Sequence, residues 1–142
     1  MIISKKIVFV EGGKYQVHKL DVKIMHKDPF YKSLGYAISG IIHCIQKERN
    51  IKIHFLFMFL VVICGFIFHL SVMEWFICIL LFALVISLEL VNTAIEAVVD
   101  LCTHEIHPLA KTAKDTAAGA VLVSAMASVI VGLMIFIPKL FN

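Results

Sequence analysis

Three long apolar runs, at residues 53–73, 75–99 and 116–138, constrain this chain more than any other feature. The first holds 21 residues and the third 23, none with a formal charge. A helix needs roughly 20 such residues to cross a hydrocarbon layer about 30 Å thick. Lipid offers no hydrogen bonds to a bare backbone, so a run of this kind spans as a helix. Hydrophobic residues make up 61% of the 142-residue chain and charged ones only 16%. With a mean hydropathy of +0.95, that excludes a soluble domain of this size. The expectation is an all-α integral membrane fold with three transmembrane helices, at about 53–73, 75–100 and 114–137, in one domain covering 29–142.

The second run is not uniformly apolar. It ends in Leu88-Glu89-Leu90-Val91-Asn92-Thr93-Ala94-Ile95-Glu96-Ala97-Val98-Val99-Asp100. At about 100° per residue, Glu89, Glu96 and Asp100 fall within roughly 40° of one another, with Asn92 about 60° to one side. One face of a membrane helix then carries three carboxylates. Ionisable groups at that depth are costly and mark a site or a pairing.

Residues 1–28 have a different composition. Ile7-Val8-Phe9-Val10, Glu11-Gly12-Gly13-Lys14 and the alternating Leu20, Val22 and Ile24 suit a small hairpin about a Gly-Gly turn. The apolar run after Lys5-Lys6 is too short for a secretory signal. The composition break also admits Met25 as the true start, leaving residues 1–24 as an over-extended frame.

From Phe30 to Gln46 the apolar positions Phe30, Leu34, Ala37, Ile38, Ile41 and Ile45 recur every three or four residues, with polar ones between. That spacing predicts an amphipathic surface helix over 30–48. Lys47-Glu48-Arg49-Asn50 follows as a charged hinge, and Glu74-Trp75 is expected to close a short outer turn. Pro108 interrupts the polar link 101–113. Ala117, Ala120, Ser124, Ala127 and Ser128 form a small-residue stripe that favours close helix packing.

Lys47, Arg49, Lys52, Lys111 and Lys114 flank one side of the spans, and Lys139 alone flanks the other. The positive-inside rule makes the first side cytoplasmic. Glu48, Glu96, Asp100, Lys111, Lys114 and Asp115 converge there, with Glu89 just beneath. Two carboxylates from different helices, Glu48 and Glu96, suit a magnesium ion held together with substrate phosphates. Lys114 is placed to neutralise phosphate oxygens. Glu89, desolvated below the surface, is placed to act as a general base toward a hydroxyl at that depth. These are the parts of phosphoryl transfer. The P-loop and protein-kinase motifs are absent from the sequence.

Other classes fare worse. No basic stripe alternates with aromatics in this chain of net charge +3, so no nucleic acid partner is expected. Cys44, Cys64, Cys78 and Cys102 lack a Cys-x-x-Cys pair, and Cys102-x-His-x-x-His matches no standard zinc spacing. A small proton-coupled transporter also uses buried carboxylates, but it has no need of Glu48 with Lys114-Asp115. A purely structural scaffold accounts for the Ala/Ser stripe and leaves Glu89 unexplained.

Glu89 to Asp100 closely resembles the signature of the small prokaryotic diacylglycerol kinase family. Glu105-Ile-His-Pro-Leu-Ala-Lys-Thr-Ala-Lys-Asp115 and Ala117-Ala-Gly-Ala-Val-Leu resemble that family's entry to the third span, and the likeness runs from about Phe30 to Phe136. The resemblance implies a homotrimer with active sites shared between neighbours, in a bacterial cytoplasmic membrane, with the site facing the cytoplasm. It implies MgATP-dependent phosphorylation of a lipid hydroxyl. It makes Glu89 the catalytic base, Glu48 and Glu96 the metal carboxylates, and Asn92 and Asp100 supporting residues. Lys114 and Asp115 would bind ATP, and Tyr36, Glu105 and His107 match positions lining the nucleotide pocket. The Glu48-Arg49-Asn50 hinge and the link from His107 to Lys111 resemble the Gram-positive branch, which includes undecaprenol kinases. The diacylglycerol enzymes carry a serine where this chain has Ala118. Undecaprenol is the preferred acceptor on that basis, with diacylglycerol as the alternative.

Overall fold

The computed structural model describes residues 2–11, 14–23, 29–103, 105 and 107–141. The chain divides into two compact units, residues 1–38 and 39–142. In the first, strands β1 (Ile2–Glu11) and β2 (Lys14–Lys23) pair antiparallel, in a register running from Ile2 opposite Lys23 to Glu11 opposite Lys14. The Gly12-Gly13 turn and Met25 lie outside the described residues.

Among the described residues four helices follow: α1 (Phe30–Lys47), α2 (Arg49–Ile67), α3 (Val72–Cys102) and α4 (Pro108–Leu140). The last three are long and apolar enough to cross a membrane. At about 1.5 Å per residue, the 31 residues of α3 and 33 of α4 run about 46 and 50 Å, well beyond the hydrocarbon thickness. Both therefore have room to leave the lipid at an end.

The break between α1 and α2 is a single residue. Glu48 is extended (φ −89°, ψ 129°) and starts α2. Lys52 Nζ donates to the carbonyl of Gln46 at 3.0 Å, satisfying one of the acceptors that the end of α1 leaves open. Cys44 and Ile51, on either side of the break, are buried.

The outer turn lies earlier than Glu74-Trp75, where the sequence placed it. Helix α2 stops at Ile67 because His69 adopts a left-handed conformation (φ 49°). His69 N–H then donates to the Phe66 carbonyl and Leu70 N–H to that of Gly65, at 3.4 and 3.0 Å. This is the Schellman arrangement, and Leu70, which follows the left-handed residue, is buried. Ser71 begins α3 through a capping box: its Oγ accepts from Glu74 N–H at 3.4 Å, and its own N–H donates to Glu74 Oε2 at 2.7 Å. Val72 and Met73, read from hydropathy as the end of the first span, are the first residues of the second. Lys139 Nζ, 3.1 Å from Glu74 Oε2, ties the end of α4 to this corner.

The polar link is also shorter than 101–113. Helix α3 persists to Cys102, and α4 starts at Pro108, whose missing N–H costs nothing in a first turn. His107 caps that turn, its Nδ1 accepting from Leu109 N–H at 3.2 Å.

Helix α3 packs chiefly on α4 and less extensively on α2. Its buried face is Cys78, Val85, Glu89, Asn92 and Thr93, and that of α4 is Ala117, Val121 and Ser124. Ala120 and Ala127, assigned to the small-residue stripe from sequence, are exposed; Val121 takes a place in the contact instead. The Ser124 and Ser128 hydroxyls donate to carbonyls of their own helix, Val121 and Ser124, each at 2.8 Å. Neither serine then brings an unpaired donor into the span.

Candidate active site

Glu89 lies on the buried face of α3, about 26 Å along the helix from Val72 by its rise per residue. Only 2% of it is exposed. Its Oε1 meets His54 Nε2 of α2 at 3.1 Å. One turn on, Thr93 Oγ1 donates to the Glu89 main-chain carbonyl at 3.0 Å and lies 3.1 Å from Cys44 Sγ of α1. The end of α1, the start of α2 and the middle of α3 are therefore joined around Glu89 by polar contacts, α2 through the carboxylate and α1 through Thr93 and the Glu89 main-chain carbonyl. Glu96 lies two turns further along the same face of α3, and Glu48 sits at the break between α1 and α2, six residues before His54.

Asn92 extends the cluster. Its Nδ2 donates to Glu96 Oε1 at 3.0 Å, while its Oδ1 is buried without a hydrogen-bond partner. A buried acceptor left open costs about 1–3 kcal/mol, and such groups are common where a ligand completes the shell. Glu96 is half-buried and Asp100 exposed, so the acidic face runs from the interior toward water as the helix proceeds. No group of three or more metal-ligating side chains occurs among the described residues. The Glu96 carboxylate with the unpartnered Asn92 amide oxygen next to it, and the Glu48 carboxylate at the start of α2, are hard oxygen donors of the kind magnesium takes together with phosphates and water.

At the exposed end, Lys114 of α4 forms an ion pair with Asp100 of α3. Lys111 pairs with Asp115 one turn apart at 2.8 Å. Lys114 and Asp115 are adjacent in sequence yet engage different partners, because successive helical residues point about 100° apart. Of the positions matched to a nucleotide pocket, Tyr36 is exposed on α1. Glu105 is exposed and its N–H donates to Thr103 Oγ1 at 3.1 Å, and His107 caps α4. Among the described residues, the hydrogen bonds of Glu105 and His107 are local and do not reach the acidic cluster.

Two features were missed in the sequence. His54 escaped because histidine adds no formal charge to a sequence count and so did not interrupt the apolar run, although an ionisable ring in a span is itself a signal. The second is an apolar cavity of about 420 Å³ among α2, α3 and α4. His54 lines it together with Phe57, Phe82, Val85, Gly132 and Phe136, among others. Through His54, the cavity adjoins the Glu89 carboxylate.

The sequence profile of prokaryotic diacylglycerol kinase matches residues 35–136. Undecaprenol kinase of Bacillus subtilis (strain 168) is 53% identical over 111 residues, covering 78% of this chain and 90% of the relative. A diacylglycerol kinase of Synechocystis is 41% identical over 111 residues, covering 78% of this chain and 63% of the relative. One from Helicobacter pylori (strain J99) is 36% identical over 95 residues, covering 66% and 73%. Fold, site and relatives define a membrane-spanning phosphotransferase acting on an alcohol. The chain belongs to the prokaryotic diacylglycerol kinase family and is a lipid kinase. That membership sets aside the transporter and scaffold readings.

Proposed function

We propose that this chain transfers the γ-phosphate of ATP, with magnesium, to the primary hydroxyl of undecaprenol at the cytoplasmic face of the cell membrane. The observation that carries the mechanism is the burial of Glu89 against His54, which lines an apolar cavity, with Asn92 and Glu96 further along the same helix. A long-chain alcohol can lodge its tail in apolar surroundings while its hydroxyl reaches the carboxylate. Glu89 takes the hydroxyl proton as the oxygen attacks the γ-phosphorus, and the bond to the β-phosphate oxygen breaks to release ADP. Glu48 and Glu96 hold the metal, with the Asn92 amide oxygen available to it. Bound magnesium supplies charge neutralisation on the phosphates. Lys114 offsets phosphate charge and Asp100 orients it. Asp115, Tyr36, Glu105 and His107 complete the nucleotide side. Sites are shared between neighbours in a homotrimer, which also gives part of the exposed apolar surface of the spans a protein partner.

The acceptor rests on the relative of Bacillus subtilis, whose name is undecaprenol kinase and which this chain covers almost end to end. Diacylglycerol is the second reading, favoured by the names of the relatives from Synechocystis and Helicobacter. Purified protein in mixed micelles, given ATP labelled at the γ-phosphate and magnesium, tests both. Preferential labelling of undecaprenol is expected. Preferential labelling of diacylglycerol reassigns the acceptor, and labelling of neither by folded protein refutes the reading.

A further inference from the structure

The contact between His54 and Glu89 carries an inference about how the base is held. An imidazole in an apolar helix is expensive unless it has a partner, and here the partner is a carboxylate with only 2% of its side chain exposed. His54 itself is 21% exposed and lines the cavity beneath. Its ring nitrogen meets Oε1 at 3.1 Å, which fixes the rotation of the carboxylate about its last bond and leaves Oε2 for a second interaction.

Glu96 and Asp100 follow Glu89 along one face of α3 toward its exposed end, and Glu48 sits at the junction of α1 and α2. Among the described residues His54 is the hydrogen-bond partner of the Glu89 carboxylate, so without the imidazole the carboxylate is free to rotate away from that acidic cluster. That cluster is where the phosphate is expected.

We propose that His54 is a positioning residue: it holds Glu89 Oε1 and thereby aims Oε2 at a lipid hydroxyl whose tail occupies the apolar cavity beneath the imidazole. The inference rests on Glu89 being the base. It concerns orientation and assigns His54 no contact with the reacting atoms.

The test separates orientation from structure. His54→Leu should lower kcat about 10–100-fold while leaving KM for ATP within about twofold, because misplacing a reacting group by ~1 Å costs about 10²-fold. His54→Gln places an amide N–H near the position of Nε2 and should recover most of that loss. Glu89→Asp draws the carboxylate back by a methylene, out of reach of the imidazole. In that background His54→Leu should cost less than about twofold, because an interaction already lost cannot be lost again. Rescue by Gln together with this non-additivity supports positioning. Losses that are fully additive, or equal for Leu and Gln, overturn it. If His54→Leu alone folds poorly, His54→Asn, whose shorter amide falls short of Oε1, takes its place in both backgrounds and carries the same expectations. A Glu89→Gln enzyme that still turns over refutes the base assignment. An inactive Glu89→Gln with fully active His54 variants refutes the positioning role alone.

Discussion

Lys114 of α4 reaches across to Asp100 of α3, joining the two longest helices by an ion pair at the exposed end of the acidic face. The side chains are 37% and 57% exposed, so water screens the pair and its worth to the fold is at most about 1 kcal/mol. Its value lies in where it holds the ammonium. Replacing Lys114 with Met should raise KM for ATP about tenfold or more, since a charged hydrogen bond to phosphate is lost. Asp100→Asn keeps the hydrogen-bonding shape and should raise it less, by about threefold, with thermal stability nearly unchanged. Initial rates over a range of ATP concentrations check both. A Lys114→Met enzyme with unaltered KM removes Lys114 from the nucleotide site.

Glu89→Gln tests the base directly. Glutamine keeps the size of the side chain and an oxygen toward His54 but cannot accept the hydroxyl proton. Turnover should fall by about 10²–10⁴-fold, the usual worth of a positioned base. Equilibrium binding of a non-hydrolysable ATP analogue should stay within about threefold of the parent, because no contact to phosphate is removed. Equal loss of binding and turnover contradicts the assignment.

Glu96→Gln keeps the oxygen that Asn92 Nδ2 donates to and removes only the charge. The magnesium concentration for half-maximal rate should rise about tenfold or more, as expected when one of two hard anionic ligands is neutralised. Titrating the rate with magnesium at saturating ATP provides the measurement. An unchanged requirement takes Glu96 out of the metal site.

Much of the membrane fold was legible in the sequence because hydropathy acts over whole spans. Where hydropathy was asked for a boundary it misled. Val72 and Met73 are apolar, so the run passed over Ser71-Val-Met-Glu74, although a Ser followed three residues later by Glu is a readable helix start. Pro108 was read as an interruption, whereas its structural meaning is a beginning. The acidic face of α3 followed from helical periodicity alone. What meets it did not: His54 is 35 residues away, Thr93 reaches Cys44 across 49, and the cavity exists only through the packing of three helices. Periodicity places a residue on a face and says nothing of which helix lies opposite.

Gly65 shows the same limit at the outer end. A methyl group on its Cα would sit 2.7 and 2.8 Å from two ring carbons of Trp75. That ring also lies 5.2 Å from Phe66, centroid to centroid. Gly65→Ala should push α2 and α3 apart there and lower stability by about 1–3 kcal/mol, the common cost of overpacking. The Glu89 cluster is far along α3 from this corner, so kcat of the folded fraction should hold. Thermal unfolding in detergent, with activity measured well below the transition, checks both parts. An unchanged melting temperature means that the Trp75 ring moves aside at no cost.

His69 makes the opposite case, a position where less side chain is better. It occupies the left-handed residue of the turn that ends α2 (φ 49°), a conformation costing an L-residue about 1 kcal/mol and glycine almost nothing. The hydrogen bonds that close the turn, from His69 and Leu70 to Phe66 and Gly65, all use the main chain and survive substitution. Glycine also has more freedom to lose on folding, which offsets part of the gain. His69→Gly should therefore stabilise the protein by a net of roughly 0.5 kcal/mol. His69→Val, β-branched and poorly suited to positive φ, should destabilise by about 1–2 kcal/mol. Both variants should keep full kinase activity, because the turn lies at the end of α3 remote from Glu89. Unfolding of the pair side by side in one detergent decides the matter: a valine variant as stable as the glycine one would show that the backbone leaves the left-handed region, and with it the turn that sets where α3 begins.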